Sequence, residues 1–226
     1  MDSNRIGYLA FRALAAIFRR MRPRSAARLA RKVGRLVFRF QGRHLERIAR
    51  HHQAIFQRPL EGAALRRFAR RFYEHLALLV VEFLRMPLLT RESVTRVVDT
   101  TQLEALRPLL ADGRGLLATS GHVGLWEWTG HVAALLGFPV HAIARPLDNP
   151  HLQAFVERTR SAGGQVVFAK WNVLWSLKKL LDRGAVVGIN ADQDTTHNQI
   201  FVPFGRRLAA TSATIGQLHR ATGAPV

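Results

Sequence analysis

Hydrophobic and polar positions divide the chain near residue 90. Before it, apolar residues recur at helical spacing among arginines. Over 5–22, Ile6, Ala10, Phe11, Leu14, Ile17 and Phe18 gather on one side of a helix, and Arg5, Arg12 and Arg19, seven apart, stripe the other. From 24 to about 57 basic and apolar residues alternate at helical spacing, closed by Pro59, and 61–86 reads as one long helix stopped by Pro87. After 90 the texture becomes a succession of short elements. Strands are expected at 94–100, 116–119, 139–144, 166–169 and 185–190. Helices are expected at 102–111, 123–136, 150–162 and 172–182, several of them stopped by glycines such as Gly113, Gly137 and the Gly163-Gly164 pair. Such alternation predicts an α/β fold with a mostly parallel sheet covered by helices on both faces. The expected organisation is an amphipathic helix over 1–22, a basic helical region over 23–90 packing on the core, and the α/β core over 91–226.

Charge separates the same two parts. Residues 1–90 hold 20 basic and 5 acidic side chains, net +15, whereas 91–226 hold 14 and 10, net +4. Nearly all of the positive charge is arginine, whose planar guanidinium suits bidentate contact with phosphate. A polyanion contact local to the first half is implied, either nucleic acid or an anionic membrane. No zinc ligands and no exposed aromatics interleaved with the arginine pairs accompany the charge, so no nucleic-acid partner is expected. The helix over 5–22, with its apolar side opposite a basic stripe, is of the kind that lies in a membrane interface while its arginines reach for phosphates. It falls short of the run of about 20 apolar residues that a spanning helix needs. No small-residue cleavage site follows it, and a removed signal peptide is not expected. With no cysteine in the chain, disulfides, thiolate nucleophiles and cysteine-bound metals are excluded.

Candidate chemistry gathers after the expected strands, where an open α/β sheet presents its ligand-binding edge. The stretch 114–130 reads as strand, tight turn and helix, and places His122 in the turn with Glu127 on the first helical turn. A carboxylate that fixes one imidazole nitrogen leaves the other free to take a proton from a hydroxyl, a base-and-orienter pair suited to acyl transfer. The surroundings of Ser120 do not read Gly-x-Ser-x-Gly, which disfavours a serine nucleophile. Arg145, after the next strand, either pairs with Asp148 or grips a phosphate of a substrate. Asp192, Gln193 and Asp194 follow the strand ending at Asn190 and are expected to orient substrate hydroxyls or buttress the His122 loop. Asp192 and Asp194, with His197 nearby, are spaced for magnesium, but no glycine-rich phosphate cradle accompanies them and no metal is expected. Trp126, Phe201 and Phe204 are expected either to pack in the core or, if the site transfers acyl groups, to line an acyl channel, and Arg206-Arg207, beside the latter two, to meet a donor's phosphates or a membrane.

Gly121-His-Val-Gly-Leu-Trp-Glu-Trp128 resembles the His-x4-Asp/Glu signature of the bacterial lipid A late acyltransferases, the lauroyl and myristoyl transferases of lipopolysaccharide synthesis. The resemblance continues through Ala144-Arg-Pro-Leu-Asp-Asn-Pro150, Ala191-Asp-Gln-Asp194 and Phe201-Val-Pro-Phe-Gly205. It implies an O-acyltransferase in which His122 is the general base and Glu127 its orienting partner. It further implies a fatty acyl donor carried as an acyl carrier protein or coenzyme A thioester, a lipid acceptor, no other cofactor, and attachment to the cytoplasmic face of the bacterial inner membrane, monotopic here because the anchor is short. Leu125 stands where the family usually carries asparagine, and family members continue with further strand and helix beyond Val226. An acyltransferase for another phospholipid or glycolipid shares every residue named here. A non-catalytic membrane-binding remnant would keep only the helix.

Overall fold

The computed structural model describes residues 3–40, 44–169, 174–196 and 198–226. Four helices lead: α1 (Ser3–Arg20), α2 (Pro23–Phe40), α3 (Leu45–Phe56) and α4 (Gly62–Arg85), the last followed by a 3-10 turn over Met86–Leu88. Three short helices follow, α5 (Arg91–Val97), α6 (Thr101–Glu104) and α7 (Arg107–Ala111). Then come β1 (Leu116–Ser120), α8 (Trp126–Leu135), β2 (Val140–Ala144), α9 (Pro150–Ser161), β3 (Val166–Ala169), α10 (Leu174–Leu181) and β4 (Val186–Asn190). A hairpin of β5 (Gln199–Phe204) and β6 (Arg207–Ser212) precedes α11 (Thr214–Thr222).

Strands β1 to β4 form one parallel sheet in the order β1-β4-β2-β3. Alternation along β1 and β4 sends side chains to both faces. Leu116 and Val186 join Val94, Val132, Leu136 and Val140 on one side, under α5 and α8. Leu117 and Val187 join Leu177, Leu181 and Leu218 on the other, under α10 and α11. The sheet is thus covered on both faces, as parallel sheets require. Gly115 sets the entry to β1: its φ is +67°, and a Cβ there would lie 2.6 Å from the Ala185 carbonyl oxygen. Along the outer edge of β1 the Leu117 amide donates to the Pro225 carbonyl at 2.8 Å.

Two expectations change. Residues 94–100 do not form a strand, because α5 begins at an N-cap on Thr90, whose hydroxyl accepts from the Ser93 amide while the Ser93 hydroxyl accepts from the Thr90 amide. Val94, read as part of a strand, is a buried helical residue. The helix expected over 102–111 is divided into α6 and α7, since Pro108 has no amide proton to continue the ladder. Asn172, the expected start of the fourth core helix, lies outside the described residues.

The helical region packs on α9 through Phe11, whose ring meets Phe155 edge-on at 5.3 Å, within a cluster that includes Ala15, Phe18, Ala26, Ala30, Val81 and Leu84. The Arg19 side chain donates to the Leu84 carbonyl at 2.7 Å, and Arg85 donates to the carbonyls of Phe18 and Met21. On α2, Ala26, Ala30 and Gly34 are four apart and form a narrow buried seam. A Cβ at Gly34 would lie 2.5 Å from the Tyr73 carbonyl, so α2 and α4 meet nearly backbone to backbone. Small residues therefore make the helix contact, and larger ones are left for the outside.

That division shows on both leading helices. On α1, Phe11 and Phe18 turn inward, while Ile6, Leu9, Leu14 and Ile17 remain exposed, which splits the single apolar side read from the sequence. On α2, Leu29, Val33, Leu36, Val37 and Phe40 form an exposed stripe next to the buried seam. At about 100° per residue, Arg24, Arg28, Arg31, Lys32, Arg35 and Arg39 occupy the remaining arc of that helix. Among the described residues no helix is long and apolar enough to cross a membrane.

Candidate active site

The site grows from the register of two neighbouring strands. Ser120 at the end of β1 stands opposite Asn190 at the end of β4, and the Ala191 amide donates to the Ser120 carbonyl at 3.2 Å. Two residues beyond each strand end, His122 and Asp192 therefore emerge side by side. His122 Nδ1 donates to Asp192 Oδ1 at 2.7 Å, and the His122 backbone amide donates to Asp192 Oδ2 at 2.5 Å. One carboxylate thus holds both the ring and the peptide of the same residue. Gly121 makes room for it, because a Cβ there would lie 3.0 Å from Asp192 Oδ2. Nε2 of His122 makes no hydrogen bond among the described residues, and the two side chains are 32% and 35% exposed. The Trp126 ring packs at 5.2 Å from the imidazole and limits its swing.

Glu127 lies on the first turn of α8, as expected, but its hydrogen-bond partner is not His122. Arg160, near the end of α9, grips it in a two-pronged bond of 2.9 Å from Nε and 2.6 Å from Nη2. The expected His122–Glu127 contact gives way to two separate pairs. The reason is geometric: β1–β4 register delivers Asp192 to the His122 turn, while packing of α8 beside α9 delivers a guanidinium to Glu127. Bidentate arginine–carboxylate pairs are among the stronger polar contacts, and this one is mostly shielded from solvent.

Arg160 was not singled out from the sequence, nor was His131. His131 is fully buried one turn after Glu127 on α8. Burial pushes its pKa down and keeps the ring neutral, with the Arg160 and Met86 backbone carbonyls offsetting this only in part. A Cβ at Gly163 would lie 2.7 Å from its Nδ1, so Gly163 permits α9 to end against the ring. The Gly163-Gly164 pair was the one local signal of that approach.

Arg145 follows β2, the strand on the other side of β4, and so shares the edge that carries His122 and Asp192. It is exposed and makes neither an ion pair with Asp148 nor any other hydrogen bond among the described residues. Gln193 and Asp194 are exposed beside Asp192. Among the described residues no three acidic or histidine side chains cluster as a metal site, and His197 lies outside them. The acyl-wall candidates are not brought together. Trp126 lies against His122, whereas Phe201 and Phe204 are three apart on β5 and project from opposite faces of the hairpin, both largely exposed.

Asp192 has a calculable pH signature. Its modest burial favours the neutral acid, but hydrogen bonds from the His122 ring and amide, together with the nearby imidazole charge, outweigh this and hold its carboxyl below the usual range. A carboxyl depressed in the folded state contributes stability above its unfolded value of about 3.9, lost as pH falls through the folded value. Carbon NMR titration of the Asp192 carboxyl should give a midpoint below about 3.9, and the stability difference between wild type and Asp192→Asn should shrink across that acid limb. A midpoint at or above the ordinary value would contradict the pairing.

A search of curated proteins returned no match for the chain. A family model described as bacterial lipid A biosynthesis acyltransferase matches residues 4–226. With that match spanning essentially the whole chain, the chain belongs to the bacterial lipid A biosynthesis acyltransferase family.

Proposed function

We propose that the chain carries a fatty acyl group from a thioester of acyl carrier protein or coenzyme A to a hydroxyl of a lipid A precursor-like acceptor at a membrane surface. The observation that carries this reading is the His122 ring, held through Nδ1 by Asp192, with Nε2 free of any hydrogen bond among the described residues and the side chain about a third exposed. Nε2 takes the proton of the acceptor hydroxyl as its oxygen attacks the thioester carbonyl. An ester C–O bond forms, the tetrahedral intermediate collapses, and the C–S bond breaks. The departing thiolate recovers the proton from the imidazolium. Asp192 fixes the tautomer and stabilises the positive ring while the proton is held.

Glu127 takes part through the turn. Its pair with Arg160 pins the start of α8, where Trp126 packs against the imidazole, so that Glu127 keeps the base in place with Asp192 as direct partner. Arg145, unpaired at the same edge, is suited to a phosphate of the acceptor, and Gln193 and Asp194 to its hydroxyls. Phe201 and Phe204 offer apolar surface to an acyl chain from opposite faces of the hairpin.

The exposed stripes on α1 and α2 support a membrane-surface location, and the family resemblance is what favours the cytoplasmic face of the inner membrane. Apolar residues flanked by arginines match a lipid interface, whereas a nucleic-acid surface would leave Leu29, Val33, Leu36 and Phe40 without purpose. Attachment is monotopic on this reading.

His122→Ala should lower kcat/KM for acyl transfer from a labelled thioester by about 10²–10⁴ with the fold retained by circular dichroism, the usual worth of a general base. Full activity in that variant would end the mechanism. Leu36→Glu with Phe40→Glu should lower partitioning onto phosphatidylglycerol vesicles by at least about tenfold in sedimentation, because it places two charges on the apolar stripe. Unchanged partitioning would refute this face as the membrane contact.

A further inference from the structure

A second cluster of unpaired charge lies away from His122. The β5–β6 hairpin turns at Gly205-Arg206, with Gly205 at φ +61°, and this tip abuts the end of α3: a Cβ at Gly205 would lie 3.1 Å from the Ile55 carbonyl. Between the two elements is an open pocket of about 590 Å³, lined by Arg50, His51, Gln53 and Gln57 from the α3 side and by Arg206 and Arg207 from the hairpin.

No acidic side chain lines this pocket. Among the described residues none of the three arginines forms an ion pair, and Glu46, one turn before Arg50 on α3, makes none with it. Three guanidinium groups that share a concave site without a carboxylate repel one another, and an anion reverses the sign of that interaction. The lining supplies three guanidinium groups of the planar kind that grip phosphate oxygens in pairs, with the amides of Gln53 and Gln57, the ring of His51 and the methyl of Ala54 beside them. Two elements far apart in sequence contribute, so the cluster is assembled by the fold and is not the by-product of one basic helix.

We propose that this pocket is a phosphate-binding subsite, which takes a phosphate of either the soluble thioester donor or the lipid acceptor. The hairpin spans six residues per strand, roughly 20 Å, so that its base follows the Asp192 loop and its tip carries the subsite. A long substrate held at both ends would lie along one face of the ribbon, against either Phe201 or Phe204. The inference rests on the acyl-transfer reading only for which molecule brings the phosphate; binding is read without turnover.

The test uses the full chain, Arg206→Gln with Arg207→Gln, and Arg50→Gln as an independent variant on the other element. Arg66→Gln with Arg67→Gln on exposed α4 positions is the charge-matched control. One arm is calorimetric titration with coenzyme A. The other is sedimentation with phosphatidylcholine vesicles, with and without a fraction of phosphatidic acid, where contact through the helical stripes is common to both. Each pocket variant should weaken binding at least about tenfold in one arm, with the Arg66/Arg67 control close to wild type. Loss confined to coenzyme A identifies the donor phosphate, and loss confined to the phosphatidic acid increment identifies the lipid phosphate. Equal loss in the control, or no loss in either arm, overturns the subsite whatever the outcome for His122.

Discussion

The bond between His122 and Asp192 depends on strand order before it depends on either residue. Because β4 lies next to β1 in an in-register parallel pair, the loops that leave Ser120 and Asn190 start level with each other, and the second residue of each can meet. Gly121 removes the side chain that would keep the carboxylate away, and the carboxylate then holds both the His122 peptide and its ring. The sheet is buried on both faces by separate apolar clusters, so this edge is fixed by the core and not by its own loops. His122 Nε2 is left without a hydrogen bond among the described residues on a rigid mount, the preorganisation that the proposed general base requires.

Around that mount the molecule divides its polar work. The Glu127–Arg160 pair ties α8 to α9, the buried neutral His131 and Gly163 let those helices close together, and Trp126 carries the effect to the imidazole. The leading helices use the same economy in reverse. They spend small residues on internal contact, at Ala26, Ala30 and Gly34, and keep larger apolar residues at the surface beside arginines. Exposed apolar residues of this size beside arginines are the feature on which the proposed lipid contact rests.

Local signals carried much of this information. The strand expected at 116–119, the helix over 61–86 and the alternation read from residue 94 follow from periodicity, proline and glycine, each of which acts within a few residues. The reading of 94–100 as a strand failed because a Thr90–Ser93 cap outweighed the β-branched Val94, Val97 and Val98. The partner of His122 was misread for a different reason. Five-residue spacing placed Glu127 near by, but the choice between Glu127 and Asp192 is made by strand order, which no local pattern in residues 114–130 contains. Arg160 is hidden in the same way, since its pairing is a property of how α9 lies on α8. By contrast, the nearness of Asp192 to the His122 loop follows from convergence at the sheet edge, a rule that concerns topology directly, although the sequence left open whether Asp192 would buttress that loop or orient substrate hydroxyls.

The most direct measurement is nitrogen NMR of the neutral His122 ring in wild type, Asp192→Asn and Glu127→Gln. The expected result is a proton fixed on Nδ1 with a free Nε2 in wild type, kept in Glu127→Gln and lost in Asp192→Asn. A ring whose tautomer ignores Asp192 and follows Glu127 would contradict the assignment of the base to the β1–β4 edge.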